Sequence, residues 1–86
     1  MHTVELLDQV LIIAEELGYG VRQEWLGGSG GGSCEIKGKP WLFVDLSLGP
    51  RERCQQVVSV LRANPRLQEC QLSTELQAVL CPRKVA

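Results

Sequence analysis

The run Trp41-Leu42-Phe43-Val44-Asp45-Leu46 limits this chain more than any other segment. It is almost wholly apolar, short, and bounded by turn residues. Such a run reads as a strand covered on both faces or lying at the centre of a sheet. A buried strand needs neighbouring strands and a helical layer, and 86 residues provide one small domain to supply them. Hydrophobic residues make up 44% and charged residues 22%, which excludes a largely disordered chain. No stretch of about 18 consecutive apolar residues exists, so no membrane span is expected. Met1-His2-Thr3-Val4-Glu5 has no basic region ahead of an apolar run and does not read as a signal peptide. The expected location is the cytoplasm.

Around this run the other elements follow from spacing. Val4, Leu7, Leu11 and Ala14 recur at helical intervals, and Leu6, Val10, Ile13 and Leu17 widen the stripe. Residues 4–17 are therefore expected to form a helix, with Thr3 as N-cap and Gly18 ending it in the left-handed conformation. In 19–26, Tyr19, Val21 and Trp25 alternate with Arg22 and Glu24, the pattern of a half-buried strand. A second short strand is expected at 34–37 and the apolar one at 41–46, with turn chemistry at Lys37-Gly38-Lys39-Pro40 between them. Pro50 suits the first position of a helix over 50–63, whose inner face is Cys54, Val57, Val58 and Leu61. Asn64-Pro65 closes it, 66–72 is irregular, and Ser73 caps a last helix over 74–80, leaving 82–86 as a tail. The expected fold is α+β, in the order α-β-β-β-α-α. Two short connections predict a three-stranded antiparallel meander with the helices on one face.

Charge and cysteine content narrow the function. The net charge of −1 offers no overall pull on nucleic acid or anionic lipid, and basic residues interleaved with aromatics do not occur. Residues 1–20 carry Glu5, Asp8, Glu15 and Glu16 without a basic residue, while 50–86 is mildly basic. Cys34, Cys54, Cys70 and Cys81 contain no C-x-x-C pair, so no metal site is assigned, and in a reducing compartment they are expected to be free, buried thiols. Disulfides remain the alternative.

Catalytic constellations are poorly served. His2 is the one histidine and sits at a terminus, away from any nucleophile it could activate. Glu15 and Glu16 are adjacent on a helix and diverge toward solvent. Asp45 is the better carboxylate, either for acid–base work or as a strand-end group facing solvent or accepting backbone N–H bonds. No catalytic residue and no cofactor is assigned. Trp25 and Trp41 fit either the core or an exposed interface anchor.

Gly27-Gly28-Ser29-Gly30-Gly31-Gly32-Ser33 is the one low-complexity stretch. Bare backbone N–H groups in such loops can approach an anion closely. The specific phosphate fingerprints are absent: no Lys follows the last glycine, and G-x-G-x-x-G is not completed at Ser33. A strand rather than a helix follows, so the dipole support is missing as well. The loop is read as a flexible connection. The alternatives are an inserted Gly/Ser linker, or an anion or small-ligand site built from Gly28, Gly30, Gly31 and Gly32 with Lys37 and Lys39.

The run Leu17-Gly18-Tyr19-Gly20-Val21-Arg22-Gln23-Glu24-Trp25-Leu26-Gly27-Gly28, continued by Gly30-Gly31-Gly32-Ser33-Cys34-Glu35-Ile36-Lys37-Gly38-Lys39, resembles a group of small uncharacterised bacterial proteins of about this length. These pair a helix with a short strand, a glycine-rich hairpin and an apolar strand, and the resemblance spans about residues 4–80. It implies a natural glycine loop and no established activity. More distantly, the α-β-β-β-α order is similar to the front of the zinc peptidases that cleave phage repressors. Their H-E-x-x-H helix has no counterpart, since residues 50–63 hold no His and Glu52 is their one acidic residue. At most the scaffold is shared.

The reading that results is a non-catalytic protein–protein interaction module with an unknown protein partner, no nucleic acid and no membrane. Its contact surface would be the sheet edges with Trp25 and Trp41, and homodimerisation across one edge is a simple way to cover it. The alternative is the ligand- or anion-binding module using the Gly27–Gly32 loop.

Overall fold

A computed structural model describes residues 3–28 and 31–81. The first helix, α1 (Thr3–Glu16), buries Leu7, Val10, Ile13 and Ala14. It ends as its sequence dictates. Gly18 takes φ +94°, Gly18 N–H donates to Glu15 C=O at 3.0 Å, and Tyr19 N–H reaches back to Ala14 C=O at 3.0 Å. Only glycine enters this conformation without strain, and the two bonds satisfy carbonyls that the helix leaves free.

Three strands follow: β1 (Gly20–Glu24), β2 (Gly32–Ile36) and β3 (Lys39–Asp45). They form one sheet in the order β1-β3-β2, with β1 parallel and β2 antiparallel to β3. The expected antiparallel meander is therefore corrected to a mixed sheet. The 37–38 connection is the tight hairpin expected of it, with Lys37 at φ +53° and Gly38 at φ +79°, as a type I′ turn requires. The connection over 25–31 is not a hairpin. It crosses the end of β3, so that β2 lies on the far side of β3 from β1. This puts the most apolar strand in the centre, where its composition belongs, and leaves polar β2 at an edge.

Helix α2 (Pro50–Arg62) buries Cys54, Val57, Val58 and Leu61 against α1 and the sheet. The irregular 66–72 segment is partly ordered, as a 3-10 helix over Pro65–Glu69 capped by the Asn64 side chain. Asn64 also donates to the Tyr19 hydroxyl at 3.1 Å, tying the end of α2 to the exit of α1. Helix α3 (Thr74–Leu80) starts at the Ser73 cap and buries Leu76 and Leu80. The helices share one core with Leu42 and Val44 on one face of the sheet, and both of these residues are completely buried. The registers set Trp41 and Phe43 with Arg22, Glu24, Gly32 and Cys34 on the opposite face, because neighbours in register point the same way. Among the described residues, no helix is long and apolar enough to cross a membrane. His2 and the 82–86 tail lie outside the described residues.

Candidate functional site

The end of β3 carries the most heavily bonded side chain in the described structure. Asp45 is fully buried, yet both carboxylate oxygens are satisfied. Oδ1 accepts from Leu26 N–H at 3.0 Å, from Ser47 N–H at 2.9 Å and from the Ser47 hydroxyl at 2.6 Å. Oδ2 accepts from Gly28 N–H at 2.6 Å. The Ser47 hydroxyl does most to hold this carboxyl down at about 2, and the three backbone N–H groups add to it, while burial pulls the other way. The charge is thus matched by donors rather than by a cation.

This arrangement answers what the glycine-rich stretch does around Gly28. The loop does cradle an anion, and the anion is Asp45 of the same chain. Gly27 and Gly28, at φ +67° and +81°, turn the backbone so that its N–H groups reach the carboxylate as the chain passes over the end of β3. Farther on, Gly31 packs against α2: a Cβ there would collide with the Gln56 side-chain amide. The Gln56 Oε1 atom beneath it is buried without a hydrogen-bond partner.

The residues grouped as a ligand site do not converge. Gly28 and Gly31 lie in the crossing loop, and Gly32 opens β2; Gly30 lies outside the described residues. Lys37 sits in the hairpin turn at the opposite end of β2 from Gly32. Lys39 places its Nζ over the Trp41 ring, 4.9 Å from the centroid. That is a cation–π contact with its own chain. Two lysines at one end of a hairpin and glycines at the other do not enclose a common anion.

The uncovered sheet face is the second feature. Trp41 and Phe43 are half-buried there, Cys34 is exposed, and Ile36 is 46% exposed. An Arg22–Glu24 ion pair at 2.7 Å lies along its β1 side. Leu26, Gly31, Gly32, Ser33, Cys34 and Phe43 line a shallow depression of about 340 Å³ where the loop meets this face. Trp25, just beyond β1, is 75% exposed, so the core position open to it is corrected to an exposed one. Its strand ends at Glu24, and the alternation that would have turned Trp25 inward ends with it. Trp41 stays between the two alternatives, with one side of its ring against Gly20. Phe43 and Ile36 are not among the contact residues expected from sequence, and Cys34 is expected there only as a buried thiol. The strict alternation of Trp41 and Phe43 with Leu42 and Val44 was the signal for Phe43.

The cysteines divide. Cys54 is buried, which pushes its thiol pKa up, and Cys70 is half-buried and raised by burial and then by the nearby Glu16 and Glu69 charges. Cys34 and Cys81 are exposed, which corrects the expectation of four buried thiols; all four are free. No group of three or more His, Cys, Asp or Glu side chains among the described residues could hold a metal ion. Comparison of the chain with protein-family models, with curated proteins and with solved structures found no match.

Proposed function

We propose that this chain is a small cytoplasmic, non-catalytic protein–protein interaction module that makes contact through its uncovered sheet face and Trp25. One observation carries the reading: the sheet face turned away from the helices presents Trp41, Phe43 and Ile36, and Trp25, just past the end of β1, is 75% exposed. Tryptophan is enriched among the residues that dominate binding energies, and an exposed aromatic surface on a small domain marks contact sites. Burying such a side chain in a partner contributes about 1.5–3 kcal/mol. Asp45 supports the face by fixing the loop that carries Trp25 away from the core.

The test places a photo-crosslinking amino acid at Trp25, and separately at Glu52 on the exposed side of α2. Illumination in the cells that make the protein should give a discrete heterologous adduct from position 25 and none from position 52. An excess of unmodified chain should compete it away. Adducts from both positions, or from neither, would remove the reading.

A further inference from the structure

Resting on that reading, we infer that one partner is a second copy of this chain, paired antiparallel on the free edge of β2 with Cys34 facing Cys34. The geometry follows from hydrogen-bond parity. Leu46 N–H donates to Glu24 C=O at 2.8 Å, so the even-numbered residues of β3 turn their backbone groups toward β1. The odd-numbered ones, Trp41 and Phe43, therefore face β2. Cys34, opposite Trp41, uses its N–H and C=O on β3, and Ser33 and Glu35 point theirs out of the sheet. Pro40 fits the same parity. It lies opposite Glu35, where no bond to β2 is made, and just ahead of the β1 ladder that begins at Gly20–Trp41.

Ser33–Ile36 is exposed throughout, so these outward groups are open to another strand. Two-fold pairing must match outward residues with outward residues, which leaves three registers. Ser33 on Ser33 overlaps only part of the strand. Glu35 on Glu35 also overlaps only part of it and sets like charges face to face. Ser33 on Glu35 pairs the full length of Gly32–Ile36, makes about four backbone hydrogen bonds, and centres the two-fold axis on Cys34. Cys34 then forms a non-hydrogen-bonded pair with its copy, at a Cα separation of about 4.5 Å, within the range a disulfide spans. On the uncovered face, Ile36 lies over Gly32 of the second copy, where a Cβ would meet nothing within 4 Å, and reaches toward Phe43. Trp41, Cys34, Cys34 and Trp41 form one row across the joined sheets.

The other edge is less suited. Asp8 and Glu15 of α1 flank Val21 and Gln23 beside β1, and no basic residue lies in the last turn of that helix. Two copies meeting there would bring acidic side chains together.

Sedimentation equilibrium of the reduced chain over the micromolar range should show association from 9.5 kDa to twice that mass. Glu35→Pro should leave a monomer with an unchanged far-UV spectrum, because residue 35 makes no bond to β3 and Pro40 occupies the matching position opposite. Cys34→Lys, which sets two ammonium groups across the axis, gives the same loss should the proline variant fail to fold. In a Cys81→Ser background, diamide should oxidise two Cys34 thiols to one intermolecular disulfide and itself be reduced to the hydrazine. A chain that stays monomeric at high micromolar concentration overturns the inference, as does a dimer that both β2 variants leave intact. The two readings separate cleanly. A heterologous adduct at position 25 with a monomeric chain keeps the interaction module and removes the dimer, and a β2 dimer without that adduct does the reverse.

Discussion

Gly20 gives the sharpest test of how the uncovered face is built. Its backbone is extended and would accept alanine, but a Cβ there would lie 2.6 Å from Cε3 and Cζ3 of Trp41 and 2.9 Å from Cδ2. Carbon atoms pack at about 3.5–4.0 Å, so the indole must shift by about 1 Å and disturb its contact with Lys39. Overpacking of this kind costs about 1–3 kcal/mol. Replacing glycine by alanine also restricts the unfolded chain, which returns about 0.4–1 kcal/mol. The net loss for Gly20→Ala is therefore about 1 kcal/mol or somewhat more, and each kcal/mol lowers Tm by about 4–8 °C in a domain of this size. In a Trp41→Val background the obstacle is gone and the second effect stands alone, so the same substitution should stabilise by about 0.4–1 kcal/mol. Urea unfolding of the four proteins, followed by far-UV circular dichroism, gives the full cycle, with a coupling of about 1–3 kcal/mol expected. A Gly20→Ala variant as stable as the parent, with no change of sign in the Trp41→Val background, would refute the seating of Trp41 on Gly20. The ring would then be free to swing, and its half-buried position would not belong to a preformed contact surface.

Three further outcomes follow from the same geometry. The Asp45 carboxyl is held at about 2, below the ordinary 3.8, so its stabilising contribution is complete above the ordinary value and is lost as pH falls through about 2. The urea midpoint should accordingly drop between about pH 4 and pH 2, and Asp45→Asn should lower the midpoint at neutral pH while flattening that acid slope; an unchanged slope would place the acid sensitivity elsewhere. With Ellman's reagent, Cys34 and Cys81 should react quickly in the native protein and Cys54 only on unfolding, with Cys70 between them, whereas four equally fast thiols would contradict the burial of α2. Lys37 pays for its φ of +53°, and Lys37→Asn should raise stability by up to about 1 kcal/mol in chemical denaturation, since asparagine before Gly38 suits a type I′ turn; a loss would mean that the lysine makes a contact of its own.

The helices were legible because each carries two agreeing signals. In α1 the apolar stripe ends where Gly18 supplies the left-handed cap, and in α2 Pro50 opens a segment that Asn64-Pro65 closes. The hairpin at Lys37-Gly38 was equally plain. Strand order was not, because glycine and serine accept both a compact turn and a long crossing, and the local sequence of 25–31 expresses no preference between them. The conflict was nevertheless present in the sequence: a meander would have placed Trp41–Leu46 at an edge, against its composition. Asp45 was singled out for its polarity within an apolar run, and accepting backbone N–H groups was one of the roles open to it. Its donors could not be named, since Leu26 and Gly28 reach it only through the crossing.

The crossing also decides which edge of the sheet is available. From Glu24 to Gly32 the chain must pass two strand spacings, about 10 Å, around the end of β3 rather than fold back beside β1. Passing over a strand end leaves backbone N–H groups facing a buried position, where each needs an acceptor. Asp45 supplies one at the last residue of β3, and glycine allows the backbone to turn two of its N–H groups toward it. An apolar residue at 45 would leave those donors unmet and remove the reason for the chain to pass there. The same carboxylate that holds the loop therefore keeps β3 in the middle and exposes Ser33–Ile36 at the rim. In a meander, β2 would have been central and Cys34 paired on both sides. The glycine loop and Asp45 thus act beyond their own contacts: by holding each other at the end of β3 they leave β2 at the edge of the sheet.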